Sequence, residues 1–194
     1  MAVSLSKGQK ISLEKTTGST LARVIMGVGW DAKKTGGFLG WGKTAQEIDL
    51  DASCVMFDAN GAVVDTVWFK QLQSKDGSIV HTGDNRTGAG EGDDEQIIVE
   101  LGRVPAGIQH LVFVVNSFTG QSFDQIDNAF CRLVDTKTDK EIARFDLSGS
   151  GKHTAQVMVR IHREAGGWQM QAIGERTSGR TYQDLLPAIT PHLK

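Results

Sequence analysis

Residues 48–56 read Ile48-Asp49-Leu50-Asp51-Ala52-Ser53-Cys54-Val55-Met56. Ile48, Leu50, Ala52, Cys54 and Met56 share one parity, and Asp49, Asp51 and Ser53 share the other. Side chains on a β-strand alternate between its two faces. The stretch therefore predicts a strand that is apolar on one face and carries two carboxylates on the other. Comparable apolar runs recur at 9–13, 21–28, 62–69, 96–101, 108–116, 129–135, 141–146, 155–162 and 168–174. Ile97, Val99 and Leu101 share a face in one of them. Leu111-Val-Phe-Val-Val115 is apolar throughout, as befits a central strand covered on both sides. Twenty-three glycines supply frequent turns. Many short strands with short connections predict an all-β fold, an antiparallel β-sandwich, in a single domain over residues 1–194. Ser122-Phe-Asp-Gln125 and Thr181-Tyr-Gln-Asp184 have capping-box spacing, which adds one or two short helices. The second should end near Leu186, because Pro187 follows.

Length and composition narrow the function classes. A chain of 194 residues buries roughly 70% of its unfolded surface and needs no covalent staple. A net charge of −2 creates no bulk field for nucleic acid, so no nucleic-acid partner is expected. No apolar run approaches the roughly 18 residues of a membrane span, and Met1-Ala-Val-Ser-Leu-Ser lacks an apolar signal core. The expected location is cytoplasmic. Cys54 and Cys131 each lie in an apolar alternating run and read as small buried hydrophobes in a reducing compartment.

The chemistry concentrates in residues 83–95, Gly-Asp-Asn-Arg-Thr-Gly-Ala-Gly-Glu-Gly-Asp-Asp-Glu. Asp84, Glu91, Asp93, Asp94 and Glu95 stand there against Arg86 alone, a local charge of −4 by count. Crowded like charges are unfavourable unless a positive group sits among them. Calcium takes six to eight oxygens from carboxylates, amides and backbone carbonyls in a flexible shell, and the loop offers all three. Asp49 and Asp51, on one strand face, and Asp31, at the end of the run Gly27-Val-Gly-Trp30, stand where a second loop could join. The competing reading is a solvated acidic turn beside a solvated strand face. An EF-hand fails, because Arg86, Gly88 and Ala89 occupy positions that need oxygen donors and a turn glycine. A phosphate cradle on Gly88, Gly90 and Gly92 would be repelled by the neighbouring acids.

Gly37-Phe-Leu-Gly-Trp-Gly42-Lys43-Thr44 spells a phosphate-binding loop, but the mechanism needs a preceding strand and a following helix. Here Thr44 leads into the strand at Ile48. Lys43 and Thr44 remain the basis of an alternative, a nucleotide-binding enzyme. Phe38 and Trp41, apolar among glycines, support another, a calcium-dependent lipid or sugar binder. No Gly-x-Ser-x-Gly elbow occurs, the five histidines lack zinc-ligand spacing, and His81 reads as a hydrogen-bonding strand residue.

These motifs carry a resemblance. Val3-Ser-Leu-Ser-Lys7, Gly27-Val-Gly-Trp-Asp31, Asp49-Leu-Asp-Ala-Ser53, Asp76-Gly-Ser-Ile-Val-His81 and Gly83-Asp-Asn-Arg-Thr-Gly88 are similar to the TerD family of tellurium-resistance and stress-response proteins, and within it to the TerZ branch. Gly92-Asp-Asp-Glu95, Phe113-Val-Val-Asn116, Ala129-Phe-Cys-Arg132 and Ala172-Ile-Gly174 extend the resemblance over nearly the whole chain. It implies a β-sandwich that binds Ca²⁺ through acidic loops, with Asp31, Asp49, Asp51, Asp84, Asn85, Glu91, Asp93, Asp94 and Glu95 as metal ligands. The clustered acids and glycines of 83–95 beside Asp49 and Asp51 lead to the expectation of a non-catalytic module of a stress-response complex. The expected partners are other proteins of the tellurium-resistance system, a membrane component among them, or an anionic membrane surface in peripheral contact.

Overall fold

Val24, Met26, Val28 and Trp30 alternate along strand β3 (Arg23–Asp31) and are all buried, while Gly27 and Gly29 occupy the opposite face. That alternation sets an inner apolar face and an outer face bare of side chains at Gly27 and Gly29. The computed structural model describes residues 3–4, 9–12, 22–31, 48–88, 92–165 and 167–194, and in it β3 is central to one of two six-stranded sheets. The first sheet runs β1 (Val3–Ser4), β10 (Lys140–Asp146), β9 (Asp127–Asp135), β3, β7 (Glu95–Glu100) and β6 (Ile79–His81). The second runs β2 (Lys10–Ser12), β12 (Gly167–Thr177), β11 (Ala155–Glu164), β8 (His110–Ser117), β4 (Leu50–Phe57) and β5 (Val63–Val67). Every pairing is antiparallel except β1 with β10. The antiparallel sandwich expected from the alternation is the fold.

Between the sheets lies the main core, to which β4 gives Leu50, Ala52, Cys54 and Met56 and β8 gives Leu111, Phe113 and Val115. Val112 and Val114 point the other way, into a second apolar layer with Val55, Phe57, Val157 and Ile173. Helix α1 (Tyr182–Ile189) roofs that layer through Leu185 and Ile189. Strand β8 is thus covered on both sides, as its unbroken apolar run implies. The competing reading of a solvated face on β4 does not hold: Asp51 and Ser53 are 3% and 1% exposed, and Asn116 links Asp51 to the Arg180 carbonyl ahead of α1.

The two capping motifs start the two expected turns. Ser122 N–H donates to Gln125 Oε1 (3.2 Å) ahead of a single 3-10 turn at Phe123–Gln125. Thr181 N–H donates to Asp184 Oδ2 (3.2 Å) at the head of α1. Pro187 does not stop this helix, which continues to Ile189. Proline removes one N–H and crowds the carbonyl four residues back. In so short a helix that is one bond, and burial of Ile189 against the sheet outweighs it. Ile189→Ala should therefore destabilise the fold by about 2–5 kcal/mol, measured by denaturant unfolding.

Both cysteines are free and fully buried, Cys54 in one sheet and Cys131 in the other. Burial pushes both thiols above the ordinary cysteine range, and Cys131 Sγ lies 2.9 Å from Met26 Sδ.

Three imidazoles are held down in basicity. Burial, with Arg160 and His162 nearby, pushes His110 from 6.5 to about 4. Burial also lowers His153 and His162. Protonation is therefore favoured in the unfolded chain, so this stabilisation is complete above pH 6.5 and is lost as pH falls toward about 4. Thermal melts between those limits should show a shallower acid decline for His110→Gln than for the parent protein.

Candidate metal centre

Three segments converge at the end of the sandwich where β4 begins. Asp49 immediately precedes β4, Asp51 lies on it opposite Asn116 of β8, and Asp84 follows β6. One carboxylate oxygen from each lies within 4.8 Å of the others. Asp49 and Asp51 are buried and Asp84 is exposed, so two donors are held within the fold and the third meets them from the surface. Asp49 is held through its backbone: its carbonyl accepts the Phe118 N–H (2.9 Å) and its own N–H donates to Thr119 Oγ1 (3.3 Å). Its Oδ1 is buried without a hydrogen-bond partner among the described residues. Asp51 Oδ2 accepts from Asn116 Nδ2 (3.0 Å).

The electrostatics follow from that crowding. Burial, then the charges of Glu95 and Asp49, push Asp51 from 3.8 up to about 8. Burial, then Asp84 and Glu95, raise Asp49, with Arg86 opposing. Burial and like charge both disfavour the ionised carboxyls. A proton or a cation relieves them.

Glu95 forms the floor. It starts β7, and its side chain turns inward between the sheets, fully buried. Strand β5 pairs with β4 only from Cys54 onward, and the Ala52 N–H donates to Glu95 Oε2 across the gap (2.8 Å). Asn85 N–H donates to Oε1 (3.2 Å). His81 Nε2 lies 3.3 Å from Oε2 without hydrogen-bond alignment, while its Nδ1 accepts the Gly83 N–H (3.2 Å). His81 is thus a buried strand residue of the second tier.

The remaining residues of the implied ligand set have other partners. Asp93 lies over the bare surface of β3, where a Cβ at Gly27 would collide with its carboxylate. Arg132, directly across from Gly27 on β9, clasps Asp93 with Nε and Nη2 at 2.7 and 3.1 Å. Asp94 Oδ2 accepts the Trp30 N–H (2.9 Å) and Oδ1 accepts from Asn85 Nδ2 (2.9 Å). Burial raises its pKa against the opposing pull of that Trp30 bond. Asn85 Oδ1 receives the Thr87 and Gly88 N–H groups (both 3.1 Å) in an Asx turn. Gly88 takes φ +61°, and a Cβ there would meet the Trp30 indole at 2.5 Å. Asp31 is exposed and accepts from Asn128 Nδ2 (2.6 Å). Glu91 lies outside the described residues, as do Phe38, Trp41, Lys43 and Thr44.

The geometry thus brings together Asp49, Asp51 and Asp84 with Glu95 beneath. It gathers Asp31, Asp93 and Asp94 separately around β3, where Arg132 already supplies a positive charge. Two residues of this end were not singled out by sequence reading. Asn116 closes the apolar run 108–116 and the motif Phe113-Val-Val-Asn116 but was given no role, yet its Nδ2 forks between Asp51 and the Arg180 carbonyl (2.6 Å). A lone amide terminating a doubly buried strand is the signal that marks it. Arg132 ends the motif Ala129-Phe-Cys-Arg132, but its role could not be read there, because its partner is 39 residues away in sequence.

The arrangement defines a β-sandwich with a buried acidic cluster at one end. A model of the TerD domain matches residues 1–186, and the chain belongs to the TerD family. It is 48% identical over 185 residues to "Tellurium resistance protein TerZ" of Serratia marcescens, covering 94% of both chains. It is 42% identical over 182 residues to "Tellurium resistance protein TerD" of an Alcaligenes species, covering 90% of both. To "General stress protein 16U" of Bacillus subtilis the identity is 40% over 187 residues, covering 92% of this chain and 93% of that one. The crystal structure of a homologue of telluride resistance protein (TerD) from Streptomyces coelicolor superposes with a TM-score of 0.71 over 90% of this chain and 98% of that one. At 22% identity that match speaks for the fold alone.

The raised Asp51 pKa has a definite sign. A group whose folded value exceeds its ordinary 3.8 contributes stability below that pH and loses it as pH rises through about 8. In chelator the parent's melting temperature should fall between pH 6.5 and pH 9. The fall should be smaller in Asp51→Asn, whose side chain stays neutral.

Proposed function

We propose that the chain is a non-catalytic calcium-binding module of a tellurium-resistance and stress-response system. Asp49, Asp51 and Asp84 would hold the ion, with Glu95 beneath them. The observation that carries this reading is the buried, unpartnered Asp49 Oδ1 within a three-carboxylate cluster. A buried anionic oxygen without a partner is costly, and a hard cation meets that need. The donor set is all oxygen, which suits Ca²⁺ at flexible coordination better than a softer metal. Mg²⁺ demands near-ideal octahedral geometry and dehydrates reluctantly, which a site with two fixed walls does not favour.

The ion would do no chemistry. It would neutralise the repulsion, order the segment after β6, and give the end of the sandwich one defined shape. Partners of the same resistance system are the expected readers of that shape. Three features support this assignment over a merely acidic surface: the burial of two of the three carboxylates, the backbone pinning of Asp49, and the family.

A ligand that binds only the folded state stabilises it by RT ln(1 + [L]/Kd), about 2.7 kcal/mol at a hundredfold excess over Kd. For a chain of this length that is about 5–10 °C in melting temperature. Calcium should produce such a rise over chelator, and magnesium a much smaller one. By calorimetry, Asp49→Asn and Asp84→Asn should each weaken calcium binding, whereas Asp31→Asn should not. Superimposed melts in chelator and in millimolar calcium would falsify the reading.

A further inference from the structure

Two consecutive valines protrude from β5, the end strand of its sheet. Val63 is 45% and Val64 48% exposed, although neighbours on a regular strand point to opposite faces. A one-residue slip accounts for both. Asp65 pairs with Met56 and Val63 with Phe57, which leaves Val64 as the extra residue of a bulge. Past the valines, β5 is engaged by its own chain: Asp65 Oδ1 accepts the Thr66 N–H (3.0 Å) and Gln71 Nε2 (2.9 Å), and its Oδ2 accepts the Lys75 N–H (2.7 Å). Beside the valines is a cavity of about 370 Å³, lined by Val64, Pro105 and Ile108 and by the charged Lys75 and Asp76. Its lining is fixed from within the fold. Arg163, its guanidinium carbon 4.1 Å from the Trp168 ring centroid, donates to the carbonyls of Ile108 (3.0 Å) and Val104 (2.8 Å). Asp76 Oδ1 accepts the Ser78 N–H (2.7 Å).

We propose that this surface binds a second copy of itself about a two-fold axis. A protruding apolar side chain and a preformed apolar hollow lie side by side on one chain, so a two-fold lets a valine of each copy fill the hollow of the other. The rim also carries both signs of charge. The Lys75 side chain, its Nζ 3.8 Å from Asp65 Oδ1, is 78% exposed, Asp76 beside it is exposed, and Arg103 lies 3.6 Å from where a Cβ on Gly77 would stand. A copy brings both signs in return, whereas a partner of one sign meets a like charge on this rim. The bulge interrupts the strand's regular pairing, so side chains and not a shared ladder carry the contact. Two valines and one hollow anchor a small interface, which places its Kd on the order of 10–100 µM. The contact sits at the Phe57 end of β4, away from Asp49 and Asp51, and is independent of the calcium reading.

The test is analytical ultracentrifugation of the full chain up to about 500 µM, well above that Kd, in chelator and in calcium. A monomer–dimer equilibrium should appear alike in both. Val64→Asp sets a charge in the hollow and should weaken dimerisation about tenfold or more, with an unchanged melting temperature in dilute solution. Phe118→Ser, an exposed apolar position elsewhere, should leave it unchanged. Cys54 and Cys131 are buried, so one introduced thiol reports the contact. Under diamide, Val63→Cys should give a disulfide-linked dimer and Phe118→Cys should not. A chain that stays monomeric throughout overturns the proposal. A dimer that Val64→Asp leaves intact, or that Phe118→Cys links and Val63→Cys does not, overturns the choice of surface. A dimer formed only in calcium assigns the contact to the carboxylate end and overturns it here. A monomer that takes up an apolar dye, with loss of uptake in Val64→Asp, assigns the hollow to a small apolar ligand and overturns the second copy.

Discussion

The carboxylate of Glu95 lies wholly buried between the two sheets, and its oxygens accept the Ala52 N–H from one sheet and the Asn85 N–H from the loop after β6. Hydrogen bonds to an ionised acceptor are stronger than neutral ones, and breaking one side of such an arrangement leaves an uncompensated charge. That bond fixes the spacing of the sheets at the acidic end. It also supplies a charge that raises the pKa of both Asp49 and Asp51. Asp49 is pinned by the Phe118 N–H and Thr119 Oγ1, so the repulsion cannot be relieved by moving the carboxyls apart.

The acidic residues divide into two groups with different remedies for the same problem. Around β3 the remedy is internal: Gly27 makes room for Asp93, and Arg132 closes on it in bidentate fashion. Phe130 backs the arrangement, with the guanidinium carbons of Arg144 and Arg132 at 4.0 and 5.9 Å from its centroid. Around β4 Arg86 opposes the rise in Asp49's pKa, but no guanidinium clasps the cluster, and the buried Asp49 Oδ1 has no hydrogen-bond partner among the described residues. The contrast separates a carboxylate neutralised by a clasping guanidinium from a buried one that lacks such a clasp among the described residues.

Much of the fold was legible because it rests on parity. Ile48–Met56 and Leu111–Val115 announce their strands, and the second announces its double burial. The rival reading of a solvated face for Asp49 and Asp51 falls because parity says which residues share a face, not what covers it. The partners there are Phe118, Thr119 and Asn116, the last tied to the Arg180 carbonyl ahead of α1. Pro187 misled for a related reason: a local rule about helix ends yields to the packing of Ile189. Strand β6 was not among the apolar runs, since only three residues form it and one is His81. Of the site, the glycine and carboxylate content of 83–95 was evident. Its partition was not, because Asp93 and Asp49 look alike until Arg132 and Gly27 are placed in space.

Cys54 and Cys131 complete the picture. Electrophiles and oxidants attack the thiolate, and they need access to it. Here each sulfur is sealed inside a different sheet, and burial holds its proton in place. In the native state such sulfurs make poor reductants for an incoming oxyanion and poor scavengers of peroxide. An oxidant that leaves the sandwich folded therefore does not consume these two thiols, and their chemistry opens only when the sheets part.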